Sequence, residues 1–465
     1  MGDRSIEAAA GSRPSPHDAA VGDGGASGRR ELRILHISTR LILGGSQENT
    51  VLSCEGQAGR GHDVHLAFGP IYGPEGTMLP RVERWNRDHP AAPVTPHEIP
   101  DMVREVSPRR DRRCLAQLQR LIDELDPDVV HTHSSKAGVL GRLAAWSRWR
   151  RRGRPAVVHT IHGPPFMPVE GGARRRLAVR AKNAAYAAAE RAAARRCHAV
   201  ASVADAMTDA FLARRIGRPG LYTTVRSGMD SRPFLAPAPG ESRAEVRAGL
   251  DLRESPEPAL VVGTVARLAD HKGHDDILSA VTMPLEPGGP SIADRVRNLV
   301  LLWVGDGWRR AALEDRIERL GLTDRVRLTG LVGPERIPGL MRAMDVLVHA
   351  SAREGLPRTV PQAFLAKTAV VATDADGTRE VVHDEVTGRL VPVGDPAALA
   401  RALWWMLDGE LGAARRAQTA AAGHALATRL FDAETMINAL DRLYAEALDR
   451  AQHSDRASAN VIDRR

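Results

Sequence analysis

The stretch Asp345-Val-Leu-Val-His-Ala-Ser-Ala-Arg-Glu-Gly-Leu-Pro-Arg-Thr-Val-Pro-Gln-Ala-Phe-Leu-Ala-Lys-Thr-Ala-Val-Val-Ala372 decides the fold. Its two apolar runs, Asp345 to His349 and Ala369 to Ala372, read as buried strands with a short helix between them. Pro357 and Pro361 suit a first helical turn, where their missing amide hydrogens cost nothing. The open amides of Arg358 and Thr359 then point off the helix end, where a phosphate group is well placed. Glu354 stands in the loop just before, and Gln362 about one turn inside. Strand, acidic loop and open helix end converge on one spot, a geometry suited to a sugar joined to a diphosphate.

The same alternation runs outward in both directions. Upstream lie a strand at Leu260 to Val265, a helix at Asp275 to Ala280 and a strand at Leu299 to Val304 that enters Gly305-Asp-Gly307. A helix at Ala311 to Leu320 and a strand at Arg325 to Gly330 follow. Downstream come Val386 to Val391 and a helix at Pro396 to Leu407. A last helix, about Asp432 to Asp449, spaces Met436, Leu440, Leu443, Tyr444 and Leu448 along one face. The first half reads the same way: strand Leu32 to Ser38, glycine loop Leu43 to Gln47 and a helix to about Gln57. Further strands are expected at His62 to Ala67, Pro127 to His133, Pro155 to His162 and Ala199 to Val203. Gly163-Pro-Pro165 ends the third of these. Alternating strand and helix predicts α/β architecture with parallel sheets wrapped on both faces. The Pro-rich stretch Pro233 to Pro239 reads as the hinge between two domains.

At 465 residues the chain is long enough for two separate cores. Cys54, Cys114 and Cys197 lie far apart without a Cys-x-x-Cys pair, which excludes a disulfide framework or a cysteine-rich zinc site. The formal charge of +8 comes from arginine. It suits acidic partners such as nucleotides or an anionic membrane surface, and arginine-rich proteomes give the same balance without any partner. The first thirty or so residues are small, polar and charged and read as a disordered arm. No signal peptide is evident, and no run reaches the ~18 apolar residues of a membrane span. The expected setting is cytoplasmic, with at most peripheral contact at the inner face of a membrane. The helix from Arg174 to Arg196 is basic but lacks a bulky apolar face. It therefore reads as a solvated helix packed by its alanines.

The glycine loop after the first strand could cradle a phosphate. Neither G-x-G-x-x-G nor GxxxxGK[ST] occurs, so neither a dinucleotide fold nor a P-loop is indicated. His131 and His133 alternate on a strand and could group with His159, yet no carboxylate or cysteine completes a set at ligand spacing. Two D-x-D triplets, Asp126-Pro-Asp128 and Asp374-Ala-Asp376, stand beside a strand and a loop. No metal and no cofactor is expected.

An ordered set of segments resembles the nucleotide-sugar-dependent retaining glycosyltransferases of the family-4 group, which have the GT-B fold of two Rossmann-like domains. The segments are Gly44-Gly45, Arg226-Ser-Gly-Met-Asp230, Ala266-Arg-Leu-Ala-Asp-His-Lys-Gly273, Gly305-Asp-Gly307 and Glu354-Gly-Leu-Pro357 with its helix. Asp376-Gly-Thr-Arg-Glu-Val-Val382 and Thr387-Gly-Arg-Leu-Val-Pro392 also match. The resemblance covers roughly residues 31 to 450. It implies an acceptor domain over 31–228, a nucleotide-sugar domain over 229–428 and a helix over 429–450 that returns to the first domain. Residues 1–30 and 451–465 are left as an arm and a loose tail.

The resemblance also assigns roles. Arg267 and Lys272 match a basic pair that faces the departing diphosphate, where charge grows in the transition state. Gly44 and Gly45 match the N-terminal glycine loop that meets the same phosphates, and Arg358 and Thr359 add amides. Val332 matches the segment that meets the nucleobase. Glu354 matches the first glutamate of the family's E-x7-E pattern, close to the transferred sugar. Gln362 stands where the second glutamate, a partner of ribose hydroxyls, is usual. His162 matches a histidine near the sugar cleft. The implied partners are a UDP- or GDP-linked hexose and a saccharide, lipid-linked or small-molecule acceptor, with no nucleic acid. A nucleotide-sugar epimerase of the same fold and a non-catalytic homologue are the alternatives.

Overall fold

A computed structural model describes residues 30–71, 76–152, 155–163, 166–167, 169, 172–252 and 257–462. Residues 1–29 of the expected N-terminal arm and Pro164-Pro165 lie outside the described residues.

Two parallel sheets carry the molecule. The first contains β1 (Arg33–Arg40), β2 (Asp63–Gly69), β3 (Val94–Glu98), β4 (Val129–His133), β5 (Ala156–Ile161), β6 (Ala199–Ser202) and β7 (Tyr222–Thr224), in the order β3-β2-β1-β4-β5-β6-β7. The second contains β8 (Leu260–Val265), β9 (Leu299–Val304), β10 (Val326–Leu328), β11 (Val346–His349), β12 (Ala369–Thr373) and β13 (Arg389–Val391), in the order β10-β9-β8-β11-β12-β13. Helices cover the faces, so the central strands are buried: β4, β5, β6, β11 and β12 at every residue, the histidines and threonines of β4 and β5 included. Both orders run outward from the first strand in one direction and then resume on its other side. The switch falls between β1 and β4 in one sheet and between β8 and β11 in the other. Loops at such switch points part, and ligands of doubly wound sheets bind in the crevice they leave.

Two strands were not foreseen. β3 contains Pro96 and buries only Val94 fully, because it is an edge strand paired on one side to β2, where a missing amide donor is tolerated. β7 is three half-exposed residues paired only to β6. The helix Gly409–Leu430 was also missed, since its alanines carry little amphipathic signal. It supports the helix Thr359–Leu365, and His424 Nδ1 lies 3.2 Å from the carbonyls of both Phe364 and Leu365.

The two sheets are tied together three ways. One hydrophobic cluster runs from Met207 and Phe211 to Leu347, Val360 and Phe364. The chain crosses between the sheets twice, side by side: the Met229 amide donates to Phe431 O at 2.9 Å, and Ser231 Oγ to Asp432 Oδ1 at 2.8 Å. The Pro-rich stretch read as the hinge lies just past this crossing and includes the helical turn Arg232–Leu235 with Phe234 buried. The final helix Ala433–Ile462 then packs Met436, Ile437, Leu440 and Tyr444 against Ile34, Val129 and Val158 of the first sheet. It does not stop near Asp449, as a loose tail from Ala451 requires; no glycine or proline interrupts the sequence there, so the helix runs on to Ile462. Among the described residues no helix is long and apolar enough to cross a membrane.

The basic helix Ala173–Ala194 exposes its arginines, as expected, but buries Glu190 completely. Arg142 Nη2 pairs with Glu190 Oε2 at 2.7 Å, and Tyr186 donates to the other carboxylate oxygen at 3.0 Å. Arg142 also donates to Gly138 O at 2.7 Å. Removing one buried partner strands the other charge. Glu190→Ala should therefore lose about 3–5 kcal/mol of stability. Arg142→Met with Glu190→Leu should recover most of it, both read from urea midpoints.

Candidate functional site

The carboxyl ends of β1, β5, β8 and β11 meet around a cavity of about 400 Å³, a size usual for small-molecule sites. Gly45 and Ser46 enter from the loop and helix after β1, and His162 and Gly163 from the end of β5. Val265 and Lys272 come from β8 and the turn that follows it, and Ser227 from the crossing segment. His349 closes β11, and Glu354 to Thr359 form the wall beyond it.

Glu354 is the centre of this wall. Lys272 Nζ pairs with its Oε1, and His349 Nε2 lies 3.3 Å from the same oxygen. Burial pushes this carboxyl up, but His349 and Lys272 more than offset it and hold it well below the usual carboxylate range. The backbone is fixed as well: the Glu354 amide donates to Asp376 Oδ2 at 2.8 Å. Asp376 adopts a left-handed φ of 45°. His349 Nδ1 in turn lies 3.2 Å from Thr359 Oγ1, which links the acidic loop to the start of the helix Thr359–Leu365. That helix begins two residues after Pro357, so Pro357 lies outside its first turn, Arg358 is the N-cap and Pro361 is the third helical residue.

Arg358 contributes more than the amide read from the sequence. Its guanidinium reaches the first half of the chain, where Nη1 donates to Gly228 O at 3.0 Å and Nη2 lies 3.0 Å from Glu48 Oε1. Its stem rests on Gly45, where a Cβ would come within 2.5 Å of Arg358 Cδ. Gly355 is likewise confined: a Cβ there would meet the His162 carbonyl at 2.4 Å. These two glycines let the walls from the two sheets touch.

His162 Nε2 lies 3.0 Å from His133 Nδ1. Burial, and then the Arg358 charge, push His162 down to about 3, so its ring is neutral. Behind it, His36, His131 and His133 bring ring nitrogens within 4.8 Å of one another, the one such group among the described residues. His36 takes the place expected for His159, whose Nδ1 instead faces Thr132 Oγ1 at 3.0 Å. All six nitrogens of the three rings already have hydrogen-bond partners: Gln57, Tyr444, Thr160, His162 and one another. No lone pair is left for an ion, and the set does not fit a metal. Aspartates of both D-x-D triplets are also engaged. Asp128 accepts from the Arg33 amide, Asp374 from Arg379, and Asp376 from the Glu354 amide.

Of the residues singled out from the sequence, the structure brings Gly45, His162, Lys272, Glu354, Arg358 and Thr359 into one cavity lining. Gly44, Arg267, Val332 and Gln362 do not line it. Gly44 and Arg267 are exposed on the loops after β1 and β8, and Val332 packs half-buried against the shared hydrophobic cluster. Gln362 is half-buried one turn into its helix. The motifs do not single out His349, although a polar residue ending an apolar strand beside a switch point is a legible signal.

The sequence pattern of the glycosyl transferases group 1 matches residues 252–424, and that of glycosyltransferase family 4 matches residues 43–231. The chain is 32% identical over 329 residues to a 2-deoxystreptamine N-acetyl-D-glucosaminyltransferase of Streptomyces fradiae, covering 70% of this chain and 72% of that one. It is 31% identical over 346 residues to a D-inositol 3-phosphate glycosyltransferase of Salinispora tropica, covering 71% and 66%. Among solved structures, Anabaena HepE in complex with UDP-glucose superposes with a TM-score of 0.66 at 23% identity, covering 90% of this chain and 100% of that one. Sucrose-phosphate synthase of Thermosynechococcus elongatus superposes with a TM-score of 0.68 at 18% identity, covering 89% and 98%. These structural likenesses bear on the fold.

The depressed Glu354 carboxyl has a consequence for stability. The folded chain favours the ionised form, so this contribution is complete above the ordinary value of 4.5 and is lost as pH falls below it. Glu354→Gln should lower the unfolding midpoint at pH 7. The gap from wild type should close progressively below pH 4.5, measured by denaturant titrations at a series of pH values.

Proposed function

The chain belongs to the group 1, family-4-type glycosyltransferases, and from that premise we propose that it moves a hexose from a UDP- or GDP-linked donor to an acceptor hydroxyl with retention of configuration. The observation that carries this reading is the shared cavity in which Lys272 and Arg358 stand beside an ionised Glu354. Cations suit a diphosphate. A carboxylate, which can only accept, suits sugar hydroxyls.

In this reading the donor diphosphate enters between Lys272 and the Gly45 loop and takes over Lys272 from Glu354. As the glycosidic bond to phosphate breaks, negative charge accumulates on the departing oxygen, and a fixed cation there lowers the barrier. Glu354, released to the sugar, accepts hydrogen bonds from its hydroxyls and holds the anomeric carbon toward the first sheet. The acceptor enters from that side, past His162, whose neutral ring offers a hydrogen bond and not a charge. With retention, acceptor and leaving phosphate share one face, so a phosphate oxygen can take the acceptor's proton and no protein base is required. Contact between the two walls excludes water that would otherwise hydrolyse the donor. Gln362, in place of a second glutamate and half-buried outside the cavity lining, would offer a ribose that reaches it a neutral acceptor, weaker by about 1 kcal/mol than a carboxylate. No metal ion takes part, a reading supported by the engagement of both D-x-D triplets within the fold.

The relatives' names favour acceptors with several ring hydroxyls, an aminocyclitol and an inositol phosphate; envelope polysaccharide or glycolipid intermediates are the wider class. Mass spectrometry of UDP- and GDP-sugars crossed with cyclitol, saccharide and lipid-diphosphate acceptors tests the reading. One donor should yield a glycosylated acceptor at a rate unaffected by EDTA. Lys272→Ala should lower that rate at least 10²-fold with an unchanged circular dichroism spectrum. Undiminished turnover in this variant would remove the proposal, and conversion of a donor sugar without any acceptor would point to an epimerase.

A further inference from the structure

Behind the cavity wall lies a file of buried side chains that the transfer chemistry does not itself use. Gln57 Oε1 lies 2.7 Å from His36 Nε2, His36 Nδ1 lies 2.9 Å from His133 Nε2, and His133 Nδ1 lies 3.0 Å from His162 Nε2. Gln57 and His36 are fully buried and His133 is 1% exposed. The rings stack along the file, His36 on His133 at 5.2 Å and 17°, and His133 on His162 at 5.3 Å and 26°. His162 alone reaches the cavity.

We propose that Gln57, His36 and His133 are positioning residues that fix the proton of His162 on Nε2 and so present a bare Nδ1 to the sugar cleft. The inference rests on the donor-site reading above and deepens it. A neutral imidazole has one N–H and one lone pair, so a head-to-tail file can point in only two directions. The amide oxygen of Gln57 selects between them. It can only accept, so His36 must carry its proton on Nε2 and accept at Nδ1. His133 must then donate from Nε2 and accept at Nδ1, and His162 must donate from Nε2. The remaining nitrogen of His162, Nδ1, becomes an obligate acceptor for a hydroxyl of the sugar or acceptor.

The groups around the file agree with a lock and not with a proton conduit. His131 lies alongside, held by Tyr444 and Thr160. On the opposite side of β4, His159 faces Thr132, with Arg142 as the charge near it. The charges that share the cavity with His162 are Arg358, Lys272 and Glu354. No carboxylate terminates the file, and an amide cannot take up a proton at its far end. Burial pushes His36 down to about 4 and His133 well below its ordinary value, so both rings stay neutral. A carboxylate in the place of Gln57 would instead favour an imidazolium and make a general base of the file.

The test is two-bond ¹H–¹⁵N spectroscopy of the full chain labelled in histidine, with His162→Gln used to identify the His162 signals. The expected spectrum has His162 protonated on Nε2 alone across the neutral range. Gln57→Leu should give a mixed tautomer and lower kcat about 10-fold or more with donor KM unchanged. Gln57→Glu should introduce a titration into the kcat–pH profile that wild type lacks. A His162 that is averaged, or protonated on Nδ1, in the wild-type chain would overturn the proposal whether or not the variants fold. The spectrum requires no substrate. An averaged tautomer in an active chain therefore defeats the file alone, whereas inactivity on every donor defeats the transferase reading.

Discussion

An ionised carboxylate, Glu354, held with 16% of its side chain exposed in the wall of the cavity is the constraint on which the rest of the site depends. Burying that charge is unfavourable, and it persists only because Lys272 and His349 converge on the same oxygen. Each partner is delivered by a different strand end, Lys272 after β8 and His349 at the close of β11. The pairing of β8 with β11 across the switch point is therefore what makes the carboxylate tolerable. Asp376 adds the backbone restraint, fixing the loop by its amide while accepting a left-handed conformation of its own. A donor that displaces Lys272 must offer that cation at least as much as Glu354 does, which a diphosphate, with more charge, can do.

The first sheet completes the site through backbone more than through side chains. Gly45 yields space to Arg358, and Gly355 lies against the carbonyl of His162. Through Arg358 the second half donates to the crossing segment at Gly228 and pairs with Glu48 on the helix Gly45–Ala58. The same crossing carries the hydrogen bond between Met229 and Phe431. A cation of the cavity is thus anchored at the place where the chain passes between sheets. The position of the walls and the charge inside them are coupled by construction.

How much of this could be read in advance follows from which signals are local. β8 and β9 are apolar runs bounded by turn residues, and their observed limits match the expected ones. β3 and β7 were invisible because edge strands need neither a full apolar run nor a free amide at every position. In the site, Lys272, Glu354 and Thr359 were legible because their motifs fix them within a few residues of strand ends. Arg267 was grouped with Lys272 by pattern, but the turn after β8 carries it to the surface and the guanidinium inside the cavity belongs to Arg358. The histidine group is hidden in the sequence for a different reason. His36 and His133 are 97 residues apart, and only the insertion of β1 between β2 and β4 makes them neighbours. His159 looked closer, yet it is held by Thr132 on β4 and not within the group.

The charged groups of the cavity are therefore the cations Lys272 and Arg358 and the anion Glu354, which His349 also holds, while His162 beside them is kept uncharged. Burial accounts for most of that neutrality, and Arg358 for the rest, since a second cation beside its guanidinium is disfavoured. In the proposed reading, uncharged rings linked in sequence would not add to the field at a diphosphate; they would orient an acceptor lone pair toward the sugar. The field itself comes from groups placed before substrate arrives. In the proposed transfer, charge developing on a departing phosphate would meet dipoles and cations that need not reorganise, which is where a preorganised site gains most over water. A protonated His162 would strengthen that field but lose its acceptor nitrogen, and the buried file behind it weights the balance toward geometry.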